Sequence, residues 1–251
     1  MPYVHSTQER RFSSIYSKLL SFLERVTKRR YSLECVNLST EIENFFDLLQ
    51  PRVSQVELVR LGKDDGSYVI PNDLEGIAHC ISPGYGGLST FEEDLFSRYG
   101  IPSTIIDKEI AEQATPGVVF IKRFVDTFTN DHEENISIDK VVDSLGVPRD
   151  DLLLQLDIEG NEWLVLRSLS NDTLSRFRIV AIELHSLPLI RERFIYEKIF
   201  APSLLKMLEI FYIVSYEVHA PSGFWTLDHK RWFPDTVIVT FHRKDRLNSK
   251  K

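Results

Sequence analysis

Hydrophobic positions fall into two different rhythms along this chain. Between about residues 9 and 29, apolar side chains recur at Phe12, Ile15, Tyr16, Leu19, Phe22, Leu23 and Val26. That spacing is one face of an amphipathic helix, and the Arg and Lys residues at its end suit the negative end of the helix dipole. A second helix is predicted from Thr40, where Thr40 and Glu43 have capping-box spacing; it runs through Phe45, Phe46 and Leu49 and stops before Pro51. The period then shortens. Residues 56–71 hold two short alternating runs around Gly62-Lys-Asp-Asp-Gly66, which predicts a hairpin. Apolar runs at 77–82, 103–107, 118–121, 152–156, 178–185, 211–219 and 236–241 predict strands. Helical patterns separate them: one starts near Ser89 or Thr90, one covers 138–145, one follows Trp163, and one covers 200–210 with Pro202 in a first-turn position. Strands alternating with helices predict an α/β fold. The division expected is a helical extension at 1–52, acting as a lid or an oligomer contact, and a main domain at 53–251. The basic end, 243–251, reads as a solvated tail.

The sharpest change of polarity follows the run that starts at Leu152. Three carboxylates, Asp157, Glu159 and Glu162, stand around Gly160 just before the helical spacing of Trp163, Leu166 and Leu169 begins. Strand therefore turns into helix through an acidic corner, and ligands of open α/β sheets bind beyond such strand ends. Capping of the next helix by Asp157 explains one acid well and three less well.

Composition narrows the partners. The 251 residues hold 30 Lys and Arg against 37 acids, a net charge of −7, which argues against a nucleic-acid backbone as main partner. Two cysteines, Cys35 and Cys80, have no CxxC or Cys/His metal spacing, so neither a disulfide framework nor a structural zinc site is implied. The first residues lack the apolar core of a signal peptide and no run could span a bilayer, so a cytoplasmic location is expected.

Two further segments carry chemistry. After the strand that ends at Ser82 comes Pro83-Gly84-Tyr85-Gly86-Gly87, then a helix start; glycines there let a ligand approach the backbone. A dinucleotide fingerprint would need Gly at 89, where Ser89 stands, which weakens a nicotinamide-dependent oxidoreductase reading. Asp107 ends the next strand a little over ~20 residues past Gly84, a spacing at which an acid reaches ribose hydroxyls. Glu183 and His185 end the fifth strand, His219 ends the sixth, and an aromatic loop from Ala220 to Pro234 is suited to lining a pocket or stacking on a sugar.

Together these segments resemble the FkbM-type family of S-adenosylmethionine-dependent methyltransferases. Leu154-Gln-Leu-Asp157-Ile-Glu159-Gly160-Asn-Glu162-Trp163-Leu-Val-Leu166 is similar to its K-x-D-I-E-G-x-E-x-x-x-L signature, with Gln155 where Lys is usual. Arg60-Leu-Gly62 with Asp65-Gly66-Ser67-Tyr68-Val69, the loop from Pro83 to Glu92, Ile182 to His185, and Phe233 to Lys244 resemble weaker marks of the same family. The resemblance implies a class I methyltransferase, Rossmann-like seven-stranded sheet with the last strand antiparallel. It implies cofactor contacts from Ser82, Gly84, Tyr85, Gly86, Ser89, Glu92, Asp107 and Asp157, with Asp107 on the ribose and Asp157 beside the sulfonium. The expected reaction is O-methylation of a sugar hydroxyl of a glycan or glycosylated precursor, as in polysaccharide biosynthesis. Such a hydroxyl is a weak acid, so a base is useful: His185 first, its free pKa near ~6.5, and His219 second. Asp157, Glu183 and His185 could instead collect Mg²⁺ or Mn²⁺. The alternative from another class is a catalytically silent module that binds glycans or partners through the aromatic loop.

Overall fold

A computed structural model describes residues 39–52, 56–110, 114–128, 134–147, 151–226 and 231–247. The first predicted helix, at 9–29, lies outside the described residues.

Seven strands form the central sheet: β1 Ile77–Pro83, β2 Ser103–Ile106, β3 Val118–Ile121, β4 Asp151–Leu156, β5 Phe177–Leu184, β6 Phe211–Val218 and β7 Val237–Arg243. Their order is β3-β2-β1-β4-β5-β7-β6, parallel except for β7, which runs antiparallel to both neighbours. The chain walks outward from β1 to β3, then returns to lay β4 on the other side of β1. The carboxyl ends of β1 and β4 therefore flank the topological switch point, where an open α/β sheet leaves a crevice. Both expectations, an α/β sheet of seven strands and an antiparallel last strand, hold.

Strand β5, Phe-Arg-Ile-Val-Ala-Ile-Glu-Leu, is buried at every position, as near-continuous apolar strands covered on both faces must be. Its side chains alternate between two cores. Val180, Ile182 and Leu184 face the layer formed by helices α1 Ser39–Leu48, α3 Ile138–Ser144, α4 Glu162–Ser168 and α5 Ala201–Ile210. Ile179 and Ala181 face the layer formed by the hairpin Leu58–Leu61/Tyr68–Pro71 and helix α2 Thr90–Tyr99. Helix α1 packs into the first core rather than standing off it. Its Phe45 is 1 % exposed, and the ring lies 5.8 Å from Trp163 and 6.2 Å from Phe200, which stack on each other at 4.3 Å. Truncating Phe45 to Ala would cost about 3–5 kcal/mol, the range for a buried aromatic that leaves a cavity.

One local expectation holds with an addition at its start, and another needs correction. The helix predicted to begin at residue 200 is entered from helical backbone that starts at Arg193. A π-turn at Tyr196–Phe200 precedes Pro202, re-registering the hydrogen-bond ladder around a residue that has no N–H to donate. The basic end is no solvated tail at 243–247. Arg243 closes β7 with Nη1 2.7 Å from Asp151 Oδ1, and Arg246 grips Asp73 through Nε and Nη2, each at 2.8 Å. Partial burial pushes the carboxyls of Asp73 and Asp151 up, but these guanidiniums, with the buried Arg178, hold both below their ordinary value. Beyond 247 the tail lies outside the described residues.

Candidate active site

The site begins where β1 and β4 end together. The Asp157 N–H donates to Pro83 O at 3.0 Å, and the Gly84 N–H donates to Ile106 O at 3.0 Å, so the three central strand ends are tied side by side. Gly84 has φ +96°, and a Cβ placed on it would lie 1.6 Å from Asp157 O. A side chain there is excluded by the neighbouring strand. Gly86 is different: a Cβ on it would meet nothing within 4 Å, which leaves open space over its backbone.

The three acids of the corner have three distinct environments. Glu162 is fully buried and folds back, accepting hydrogen bonds from the Ile158 N–H at 2.9 Å and the Gly160 N–H at 3.1 Å. Its Oε1 also faces His185 Nδ1 at 3.1 Å. Glu162 thus braces the corner from within. Glu159 takes a left-handed backbone conformation, φ +57°, and points to the exposed rim. Asp157 stands between them, with Oδ1 3.9 Å from His185 Nε2. Asp157 does not cap the next helix; Asn161 occupies the position before α4, with no side-chain cap bond.

Four of the expected chemical groups converge here. Glu183 Oε1 lies 3.3 Å from His185 Nε2 and 3.0 Å from His219 Nδ1, which also meets Ser222 Oγ at 2.7 Å. Trp163 Nε1 donates to the His185 carbonyl at 2.9 Å, fixing that backbone. Burial works against a charge on His185, but the Glu162 and Glu183 carboxylates outweigh it and push its pKa to about 11. That direction favours the imidazolium at neutral pH and works against His185 as the first-choice base, because its two carboxylate partners hold the proton. Asp157 moves the other way: burial, then repulsion from Glu183, raises it to about 7, with His185 opposing. One ligand atom each from Asp157, Glu183 and His185 lies within 4.8 Å of the others, a spacing that suits a divalent cation.

Two cavities meet at this corner. One, of about 520 Å³, is lined by Tyr85, Asp107, Phe124, Asp126 and Asn135 among others. The second, of about 390 Å³, is lined by Tyr68, Glu92, Gln155, Glu183, His185 and His219 among others. Gly84, Gly86, Asp157 and Glu159 line both. Asp107 receives the Tyr85 N–H on Oδ2 at 2.9 Å and the Glu109 N–H on Oδ1 at 2.7 Å, so its carboxylate is held at the floor of the larger cavity.

Three of the residues expected to contact a cofactor do not line the larger cavity. Ser82 is buried beneath the strand ends, its hydroxyl between Glu92 and Gln155 Oε1, the latter at 2.5 Å. The Ser89 hydroxyl donates to Glu93 Oε1 at 2.8 Å and lines neither cavity. Glu92 opens into the smaller cavity instead of the larger one. Its burial raises its pKa against the pull of the Ser82 bond. Conversely, Phe124, Val125, Asp126 and Asn135 line the larger cavity without having stood out in the sequence. They sit on or next to strands of only two residues, Phe124–Val125 and Asn135–Ile136, too short to show a period. The acid-bearing triplet Phe124-Val-Asp126 just after β3 was the available signal.

One family model matches the chain. The profile described as the methyltransferase FkbM domain matches residues 57–218. No curated protein matches the chain. Among solved structures, a fibrillarin/Nop5p complex is similar at TM-score 0.39 and 14 % identity, over 67 % of this chain and 74 % of that one. A METTL16 methyltransferase domain is similar at TM-score 0.33 and 8 % identity, over 94 % and 98 %. The capping protein VP4 of bluetongue virus is similar at TM-score 0.30 and 13 % identity, over 54 % and 23 %. Likenesses of this size carry no argument about function.

Proposed function

This chain belongs to the FkbM methyltransferase family, and from that premise we propose that it moves the methyl group of S-adenosylmethionine to a sugar hydroxyl of a glycan or glycosylated precursor. The observation that carries the proposal is the meeting of two cavities at Gly84, Gly86 and Asp157. A donor in one and an acceptor in the other would face each other across that junction, the alignment that an in-line methyl transfer needs. The larger cavity takes the cofactor: Asp107 accepts the ribose hydroxyls, and the bare backbone at Gly86 admits the methionine portion. The smaller cavity takes the acceptor, with Glu183, His219 and Ser222 as hydrogen-bonding groups for a polyol.

When bound, the cofactor supplies an activated methyl group. The chain's own residues have to bind, align and remove one proton. Asp157 is the group best suited to accept that proton, because its pKa of about 7 keeps it a competent base at neutral pH. His185, held as a cation, would keep Asp157 and Glu183 in place beside it. A second reading keeps the same residues but gives them a cation. Asp157, Glu183 and His185 fit Mg²⁺ or Mn²⁺ by spacing and donor type, and Glu162 behind His185 Nδ1 is the outer carboxylate that orients metal-bound imidazoles. Such an ion would polarise the acceptor hydroxyl; His185 would then have to give up its Nε2 proton.

The division into a helical extension at 1–52 and a methyltransferase unit at 53–251 belongs to the same proposal, supported by the family match beginning at residue 57. The test is transfer of labelled methyl from S-adenosylmethionine to a panel of glycans, with wild type, Asp157→Asn and a metal chelator. Transfer to oxygen that vanishes in the variant supports the account. Turnover unchanged in Asp157→Asn, or transfer to a protein or nucleic acid alone, contradicts it.

A further inference from the structure

The smaller cavity is unbalanced in charge. Glu92, Asp157, Glu159 and Glu183 line it; the cation among its lining residues is His185, which faces Asp157 and Glu183, and no Lys or Arg lines it. Glu92 is the telling member. It is 5 % exposed, and its one side-chain hydrogen bond to another residue is from Ser82 to Oε1. Among the described residues Glu92 has no ion pair, and it lines the cavity. A buried carboxyl with no cation beside it is costly in its charged form.

Gln155, a neutral amide, is the next buried polar residue in this group. Its Oε1 meets the Ser82 hydroxyl at 2.5 Å, and its amide donates to the Tyr68 hydroxyl at 2.7 Å, completing a chain Glu92–Ser82–Gln155–Tyr68 under the cavity that holds no cation. The ammonium introduced by Gln155→Lys would reach the same Ser82–Glu92 end of the chain and balance it from inside; the Gln155 amide carries no charge.

We propose that the acceptor itself brings the missing cation: the substrate class is an amine-bearing sugar or similar amino-polyol, whose ammonium sits against Glu92 while a hydroxyl faces Asp157. This rests on reading the smaller cavity as the acceptor side. A charge-assisted hydrogen bond from an ammonium would then replace a buried carboxyl that lacks a cation. Phosphorylated or carboxylated acceptors would find no cation at the Glu92 end to pair with.

The probes are D-glucosamine and N-acetyl-D-glucosamine, equal in ring shape and different in charge. Each is titrated into the protein in the presence of saturating S-adenosylhomocysteine. The expected result is binding of glucosamine about tenfold or more tighter than its acetylated counterpart. Gln155→Lys, which installs the internal cation, and Glu92→Gln, which removes the charge, should each bring that ratio close to one. Equal affinity in wild type, no detectable binding of either sugar, or a ratio that both substitutions leave unchanged overturns the inference. Both variants are checked for bound S-adenosylhomocysteine as the sign of an intact fold. Failure of wild type to bind S-adenosylhomocysteine would instead overturn the methyltransferase reading of the cavities.

Discussion

Gly84 and Asp157 are in contact through their backbones: a Cβ on Gly84 would stand 1.6 Å from the Asp157 carbonyl oxygen, at a φ of +96° that L side chains rarely adopt. The glycine loop and the acidic corner are one unit, since neither can shift without the other. Gly84→Ala should therefore cost on the order of 4 kcal/mol or more, and displace Asp157 in whatever folds. Gly86→Ala, with open space around it, should leave thermal stability within about 0.5 kcal/mol yet weaken cofactor binding. Equal losses of stability in both variants would contradict this division of labour.

Asp157 should set the acid limb of the pH profile. Its folded pKa of about 7 lies above its ordinary value of 3.8, so the folded state holds a proton there that the unfolded state has released. Its contribution to stability thus falls as pH rises through the window from 3.8 to about 7. Asp157→Asn should be more stable than wild type at pH ~8, lose that advantage near pH ~4, and be inactive at both. In wild type, kcat/KM should rise through pH ~7, the free-enzyme value. A limb that persists in an active Asp157→Asn enzyme would assign the proton to another group.

Glu162 should matter through His185. It is fully buried and serves two backbone N–H groups as well as the imidazole, so Glu162→Ala should cost about 3–5 kcal/mol, the range for breaking a buried charged pair. Glu162→Gln keeps the shape and lowers the negative charge. In it, the His185 ring should titrate well below the wild-type value of about 11, as read by imidazole NMR. The raised pKa is stability that is fully present below about 6.5 and lost as pH rises towards about 11, so Glu162→Gln should flatten that loss. An unchanged His185 titration would show that Glu183 alone holds the proton.

The far end of the sheet offers a separate test. Asp73 accepts from Arg246 at 2.8 Å and lies 3.0 Å from His242 Nε2 and 3.4 Å from Arg178 Nη1. Asp73→Asn should lower stability by about 1–3 kcal/mol at neutral pH. Because the folded pKa of Asp73 is lowered, the difference from wild type should shrink as pH falls below about 3.8. A pH-independent difference would make the loss one of packing.

How much of this was legible in the sequence depended on length and contrast. Long apolar strands such as Phe177–Leu184 and the abrupt polarity at Asp157 are visible without a structure, as is the glycine loop after β1. The roles of the acids within the corner were not. Glu162 looks like a helix-start acid, yet the αL turn at Glu159 folds the chain so that Glu162 reaches back to Ile158 and Gly160. The charge state of His185 was equally hidden, since it depends on Glu183 and Glu162, carboxylates from two different strand ends. The basic end misled because Asp73 and Asp151, its partners, are distant in sequence.

Cofactor binding tests the central claim most directly. Titration calorimetry with S-adenosylmethionine and S-adenosylhomocysteine should give micromolar affinity, about −8 kcal/mol, in wild type. Asp107→Ala should weaken both by at least about tenfold, since it removes a charged acceptor from the larger cavity. Absence of heat with either ligand, in wild-type protein shown to be folded, would contradict the methyltransferase account.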